Sequence, residues 1–326
     1  MNHSEQRLCR AEPSELLNSH MPRIATIGFF DGVHRGHRFL FAQLHEHAKH
    51  YQLTPAIYTF DRHPKELLAG QAPAMLTTYD ERKALLQNYA EVHFLDFAAV
   101  QQLTAEQFMC YLKEHEGVET LLMGYDHHFG SDRLKGFHEY EKIARKIGLH
   151  VERAHECLVD GVPVSSSRIR KLMAAAQIDQ VNRLLGYTYS VSGLVEHGNA
   201  IGVTLGFPTA NIRLNSAKQL PASGVYAVEV FLPAQQSSSA AIIEHSDLQG
   251  VSRRSTSYKG VANIGTNPTV GNDHLSLEVH LIDFQGDLYG QPLTISFLHF
   301  LREEKKFASL DELKKQITED IREAIR

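Results

Sequence analysis

The chain has 326 residues, 43% of them hydrophobic, and a formal net charge of −5 with histidine neutral. Domains commonly run to about 100–200 residues, so two units with separate cores are expected, and the acidic balance offers no basic nucleic-acid surface. Cys9, Cys110 and Cys157 are too few and too far apart for a disulfide framework or a CxxC zinc site. The opening stretch MNHSEQRLCRAEPSELL has no apolar signal core, and no run approaches the ~20 apolar residues of a membrane span. A cytoplasmic protein with neither membrane nor nucleic-acid partner is expected; composition does not fix its oligomeric state.

Apolar runs at Ile24–Phe29, Ala56–Phe60, Val92–Phe97, Thr120–Met123 and His150–Ala154 read as strands. Amphipathic segments Phe39–His50, Asp80–Tyr89 and Ala105–His115 alternate with them. Such alternation predicts a parallel α/β sheet, with ligands at the carboxyl ends of its strands. His45, His47 and His50 fall on one helix, where solvated histidines are favoured over a metal site. Past Gly186 the pattern turns β-rich: Val191–Val195, Val225–Leu232, Tyr258–Asn263, Leu277–Asp283 and Leu293–Phe300 predict an antiparallel sheet or small barrel. Gln235–Thr256 is Ser-rich and polar and reads as a long, mobile hairpin loop. A last helix is expected after the capping box Ser309/Glu312, with Leu310, Leu313, Ile317 and Ile321 as its apolar stripe. These changes divide the chain into residues 1–186 and 187–326.

The most informative stretch is Gly28-Phe29-Phe30-Asp31-Gly32-Val33-His34-Arg35-Gly36-His37. A strand ends, a glycine-bearing turn follows, and a helix is expected to begin near His37. Glycines admit a ligand close to the backbone, and a helix N-terminus offers free N–H groups to a phosphate. Two histidines three apart in a first turn can both face one phosphate and donate to charge developing there. Ordinary turn histidines or a zinc pair are the competing readings, and zinc lacks further ligands at suitable spacing.

This stretch resembles the HxGH signature of nucleotidylyltransferases in its longer GxFDGVHxGH form. That form is similar to the FMN adenylyltransferase domain of bacterial bifunctional riboflavin kinase/FAD synthetases. Further blocks follow in the expected order. Thr59-Phe60-Asp61-Arg62-His63-Pro64 resembles TFxxHP. Gly124 to Gly130 resembles GxDFxFG, with His127 where the family has Phe. Val164-Ser165-Ser166-Ser167-Arg168-Ile169-Arg170 resembles ISSTxIR, with Ser167 in place of Thr, and also reads as a helix N-cap. The resemblance implies that His34 and His37 are catalytic. It implies that Gly28, Phe29, Asp31, Gly36, Ser165, Ser166, Ser167 and Arg170 hold nucleotide, and that His63, Pro64, Asp126 and Phe129 hold flavin.

In the back half, Gly206-Phe207-Pro208-Thr209-Ala210-Asn211 is a rigid, oxygen-bearing corner. From its residues alone, a divalent-cation site and a structural turn stand level. It resembles GFPTAN of riboflavin kinases. Gly224–Val228 (GVYAV), Val261–Thr269 (VANIGxxPT), Glu278–Gly290 (EVHLxDFxGDLYG) and Phe297–Phe307 (FLxxLRxExKF) follow in order. Val203 and Asn267 stand where the family often has Arg. The resemblance implies Thr209 and Asn211 as Mg²⁺ ligands, Gly206 and Pro208 beside ATP, and Glu278 as the base for a flavin hydroxyl. Without the motif, Glu278 reads as a solvent-facing strand residue.

Together the blocks imply a fold and a function. The fold is a Rossmann-like parallel α/β nucleotidylyltransferase domain, then a small antiparallel β-barrel kinase domain with a C-terminal helix. The function is FAD synthesis from riboflavin, with ATP, riboflavin and FMN as substrates and Mg²⁺ as cofactor. Loss of one of the two activities, or a non-catalytic flavin- or nucleotide-binding role on the same scaffold, are the alternatives.

Overall fold

The computed structural model describes residues 21–63, 66, 73–197, 206–214, 218–233, 243–246, 252–266 and 275–326. Pro64, Val203 and Asn267 lie outside these residues.

The front sheet is built on apolar runs that bury both faces. In β1 (Arg23–Ile27) every residue is buried, and in β4 (Val118–Met123) only Glu119 is exposed. β2 (Thr54–Phe60), β3 (Glu91–Leu95) and β5 (His150–Arg153) complete five parallel strands in the order β3-β2-β1-β4-β5. The order reverses at β1, so the loops after β1 and β4 part from each other and leave a crevice at the carboxyl edge. Around the sheet lie α1 (Arg35–Tyr51), α2 (Tyr79–Gln87), α3 (Phe97–Val100), α4 (Ala105–Glu116) and α5 (Phe137–Ile147). A two-stranded hairpin, β6 (Leu158–Val159) and β7 (Val162–Pro163), leads into α6 (Ser166–Ala174) and α7 (Ile178–Leu185).

Seven antiparallel strands follow: β8 (Ser190–Glu196), β9 (Ala210–Leu214), β10 (Gly224–Leu232), β11 (Ile243–Ser246), β12 (Ser252–Thr266), β13 (Leu275–Leu281) and β14 (Pro292–Arg302). Six run in the order β10-β14-β8-β9-β13-β12, and a β10–β12 ladder closes them into a barrel. Alternate residues point inward: Ala210 and Ile212, Leu277 and Val279, and Ala262 and Ile264 are buried in its core. Asn211, Glu278 and Asn263, one step out of phase, therefore face outward. The same apolar cluster runs from the barrel through Val181, Leu184 and Leu185 of α7 to Ile169 and Met173 of α6.

Several expectations shift. The strand expected to Phe29 stops at Ile27, and α1 begins at Arg35 with His34 as its N-cap, two residues before His37. The strand expected to Phe97 stops at Leu95 because Asp96 caps α3, accepting the Ala98 N–H at 2.9 Å. β9 is not among the expected strands, although Ala210-Asn211-Ile212-Arg213-Leu214 alternates apolar and polar residues. The polar stretch 235–256 is not simply an open loop. β11 pairs antiparallel with the first residues of β12, and four residues are too short a run to announce a strand by their period. Ser309 does cap α8 (Leu310–Ile325), accepting the Glu312 N–H at 3.2 Å, but the Glu312 carboxylate takes the N–H of Ala308 rather than of Ser309. Leu310 is 64% exposed and leaves the expected stripe. Asp320 replaces it as the anchor, buried and held by the Arg302 guanidinium at 2.8–3.1 Å.

Candidate functional sites

The first site lies at the carboxyl edge of the front sheet. The turn after β1 climbs through left-handed backbone at Phe30 (φ 57°), Gly32 (φ 79°) and Val33 (φ 36°). A β-branched residue there is strained and must be held from outside. The clamps are on every side: Tyr187 Oη donates to the Gly32 carbonyl at 2.7 Å, Arg38 Nε to the Val33 carbonyl at 3.2 Å, and Ser166 Oγ to the Asp31 carbonyl at 2.9 Å. The Asp31 carboxylate is buried and filled. It accepts the N–H groups of Leu76 (3.0 Å) and Thr77 (2.9 Å), the Thr77 hydroxyl (2.9 Å) and the Arg170 guanidinium. Asp31 and Arg170 thus face each other.

This clamped turn delivers His34 and His37. Their rings stack with centroids 3.6 Å apart and planes 20° off parallel. His34 Nδ1 accepts the His37 N–H at 3.4 Å, so the neutral ring carries its proton on Nε2. Burial, with the charges of Arg170 and Arg38 nearby, lowers the His34 pKa to about 3. Burial and the His34 neighbour also hold His37 well below its usual value. Both rings are neutral near pH 7, and His37 Nδ1 is buried without a protein partner. The pair offers neutral donors rather than cations.

A second helix start converges on the first. A Cβ added to Gly36, in the first turn of α1, would stand 3.1 Å from the Val164 carbonyl oxygen. Ser165 caps α6, accepting the Arg168 N–H at 3.2 Å, while Ser167 is exposed. The HxGH turn and the Ser-rich block, over 120 residues apart in sequence, therefore form one mouth with two positive helix ends.

Phe29 sits at the β1/β2 edge. His63 meets it edge-on at 4.6 Å, the Arg82 guanidinium lies 3.8 Å over its ring, and Thr59 Oγ1 donates to its carbonyl at 3.2 Å. Arg82 was not expected from sequence. It is 2% exposed, donates Nη2 to the Phe60 carbonyl at 2.6 Å and keeps Nε without a partner; burial lowers it to about 10. A lone Arg in an amphipathic helix gives no signal of such a position. The loop after β4 holds Asp126, exposed, and Phe129, half-buried. Phe129 is anchored inward, its N–H and carbonyl both bonded to Tyr140 Oη at 2.9 and 2.7 Å. His127 is half-buried with Nδ1 unpartnered, and burial lowers it to about 4.

The helix histidines do other work. His47 Nδ1 contacts the Glu152 carboxylate at 2.5 Å and His45 Nδ1 lies 2.9 Å from the Phe41 carbonyl. Among the described residues no three His, Cys, Asp or Glu side chains are grouped to hold a metal ion.

The second site is a row across the barrel's outer face. Ladder register sets Glu196, Asn211, Glu278 and Asn263 side by side on β8, β9, β13 and β12. Glu278 is half-buried between two neutral amides; burial, then the Glu304 carboxylate, raises its pKa. Asn263 Nδ2 donates to Glu304 at 3.3 Å. Gly206 (φ 86°) begins the turn into β9, and Pro208 offers its carbonyl to His280 Nδ1 at 2.9 Å. That contact ties the Gly206–Thr209 corner to β13, the strand carrying Glu278. Thr209 and Asn211 are half-buried at that corner. Neither Asn263 nor Glu304 was singled out in sequence, since their place depends on register and on the path after β14.

The molecule thus presents two candidate phosphate-handling centres, one in each half: a mouth of helix N-termini and neutral histidines, and a carboxylate set among amides on a barrel. Residues 17–168 match the family model of FAD synthetase, and residues 185–326 that of riboflavin kinase. The chain is 38% identical to the bifunctional riboflavin kinase/FMN adenylyltransferase of Pseudomonas fluorescens over 93% of this chain and 92% of that one. It is 37% identical to the protein of the same description from Escherichia coli strain K12, over 91% and 90%. A crystal structure described as a macrolide-efflux protein from Streptococcus pneumoniae superposes with a TM-score of 0.78 at 27% identity, over 94% of both chains. The chain belongs to the bifunctional riboflavin kinase/FMN adenylyltransferase family, with the FAD synthetase unit first and the kinase unit second.

Proposed function

We propose that the chain makes FAD from riboflavin in two ATP-dependent steps, the first in the barrel and the second at the sheet edge. The observation that carries this is the union of the His34/His37 turn with the Ser165–Ser167 block in one half, while the other half sets Glu278 between Asn211 and Asn263. Efflux, the description of the structural neighbour, is not transferred, because catalytic family models cover both halves.

In the barrel, the riboflavin 5′-hydroxyl attacks the γ-phosphorus of ATP, its proton passes to Glu278, and ADP leaves. A half-buried carboxylate of raised proton affinity suits a base for an otherwise weak nucleophile. Thr209 and Asn211 would hold Mg²⁺. Both are neutral oxygen donors, and so sparse a protein set fits a cation that keeps waters and phosphate oxygens as most of its ligands. When bound, the ion would neutralise phosphate charge. Gly206 and Pro208 shape the corner beside ATP.

At the sheet edge, an FMN phosphate oxygen attacks the α-phosphorus of ATP, the Pα–O–Pβ link breaks and pyrophosphate leaves. The nucleophile is already an anion, so no base is required. His34 Nε2–H and His37 donate to charge growing on the α-phosphate, and the first-turn N–H groups of Arg35 and Gly36 add to them. Gly28 and Phe29 let the nucleotide approach, and Ser167 faces it. Ser165, Ser166, Asp31 and Arg170 act by holding the mouth in shape. His63, Pro64, Asp126 and Phe129 belong to the flavin side. We place the division between units at Gly186, the left-handed cap of α7 (φ 78°), and the protein in the cytoplasm.

The test is incubation of the protein with riboflavin, ATP and Mg²⁺ and chromatography of flavins over time. FMN first and FAD after it is the expected course. Failure to form either from a folded sample would overturn the assignment.

A further inference from the structure

Between α-helices of the front half and strands of the barrel runs a short segment, Ala74–Thr77, with a different partner on each edge. One edge belongs to the adenylyl-transfer turn. Leu76 and Thr77 fill the Asp31 carboxylate, Thr77 Oγ1 accepts the Gly32 N–H at 3.0 Å, and the Ala74 carbonyl accepts Arg170 Nε at 3.0 Å. The other edge belongs to the chain leaving β9. Met75 forms a parallel bridge with Lys218, and its carbonyl accepts the Gln219 N–H at 2.8 Å. Lys218 then reaches past the segment to Glu81, whose carboxylate also accepts the Thr78 N–H at 2.9 Å as part of the α2 capping box. The Lys218 side chain is 6% exposed and that of Glu81 19%, and the Lys218 ammonium lies 5.1 Å over the Tyr189 ring. Tyr189 Oη closes the arrangement on the Gln219 carbonyl at 2.6 Å.

An ion pair this far out of water is held by close packing and carries geometric specificity. The Asp31 loop has three left-handed residues within four positions and cannot keep its shape by local preference. We infer that Lys218, a residue of the kinase half, is a positioning residue for adenylyl transfer: it fixes the Ala74–Thr77 strap, which fixes Asp31 and so the His34/His37 pair. The front site is then completed by the back half through a route of named contacts, Lys218 and Met75 to Leu76 and Thr77 to Asp31. Lys218 touches no reacting group and lies outside the Thr209–Asn211 corner, so the kinase step does not use it. The inference rests on the proposed assignment of adenylyl transfer to the front half.

The experiment uses the full chain. Lys218→Met keeps the length of the side chain and removes its charge; Lys218→Met with Glu81→Gln also removes the stranded carboxylate; Lys218→Arg restores a cation; Lys146→Met, which removes an exposed front-half ion pair with Glu106, is the control. FAD formation from supplied FMN should lose about tenfold to hundredfold in kcat, the scale of a displacement near 1 Å at a reacting centre, with little change in KM for ATP. FMN formation from riboflavin should stay within about twofold, on the same footing of a local displacement. Lys218→Arg should recover most of the loss, and the double variant should not. In the ligand-free protein, the ¹H–¹⁵N ring signals of His34 and His37 should move in Lys218→Met and stay in Lys146→Met. Unchanged FAD formation in Lys218→Met, a parallel fall of both activities, or unmoved His34 and His37 signals overturns the inference. Should the parent protein form no FAD, the front-half assignment fails, and the ring signals alone decide whether Lys218 positions the histidines.

Discussion

The two sites answer opposite chemical needs with opposite architectures. At the sheet edge the proposed nucleophile arrives charged, and the proposed donors are two stacked neutral histidines and two helix N-termini, set in loops. On the barrel the proposed nucleophile is a neutral hydroxyl, and the proposed acceptor is Glu278 on a strand, between Asn211 and Asn263. The loop site depends on clamps that reach it from α6, from Tyr187 and from the 74–77 strap. The strand site depends on ladder register. Loops can bring two helix ends to a single phosphate, which strands cannot do. A strand fixes its side chains by pairing alone, and needs fewer supports.

Five substitutions probe this contrast. The largest effect is expected from Glu278→Gln, which removes the proposed base: FMN formation from riboflavin should fall by about 10²–10⁴, while FAD formation from supplied FMN stays within about twofold. A similar loss in both reactions would mean that the sites are not separable. Next come His34→Ala and His37→Ala, each lowering kcat for FAD formation by about 10²–10³, the scale of one lost transition-state donor. Because the rings are neutral, that loss should hardly vary between pH 7 and 9; a loss confined to the acid side would show that imidazolium was needed. Gly32→Ala comes third. Its φ of +79° and a Cβ 2.9 Å from Leu76 Cδ1 should destabilise the fold by about 1–3 kcal/mol, read by urea denaturation. It should slow FAD formation more than FMN formation, and equal slowing would deny that the turn is the weak point of the loop site.

The smallest effect belongs to His127→Phe. Burial lowers His127 from 6.5 to about 4, so between those values the unfolded chain takes up a proton that the folded chain refuses. Its contribution to stability is present above pH 6.5 and is lost as pH falls toward 4. The same sign holds for His34, which stays in the variant. His127→Phe also removes a buried nitrogen without a partner. It should add about 1 kcal/mol of stability at pH 7 and flatten, without abolishing, the fall on acidification. An unchanged slope in urea titrations from pH 7 to 4 would place His127 in water.

Contiguous features were legible because local backbone preference writes them into adjacent residues. The glycine turn with His34 and His37, the Ser165 cap and the strand–helix alternation are of this kind. The caps Thr78/Glu81 and Thr104/Gln107, not singled out in sequence, form reciprocal boxes of the same local kind. The 1–186 and 187–326 division followed the change from helical to alternating period, yet one apolar cluster crosses it, because α6 and α7 bury their faces on the barrel.

The sequence by itself determined the two families of fold, their order along the chain and the residue types that carry each chemistry. The tertiary structure decided what those residues touch. Asp31 is expected from sequence to hold nucleotide; in the fold its carboxylate accepts from Thr77 and Arg170, 46 and 139 residues away. Glu278, read as a base from the motif and as a solvent-facing strand residue without it, stands in register between two amides. Short-range patterns come from the dihedral preferences of neighbours, which a sequence displays directly. Burial, ladder register and a filled carboxylate come from contacts closed over long loops, and those exist only once the chain has folded.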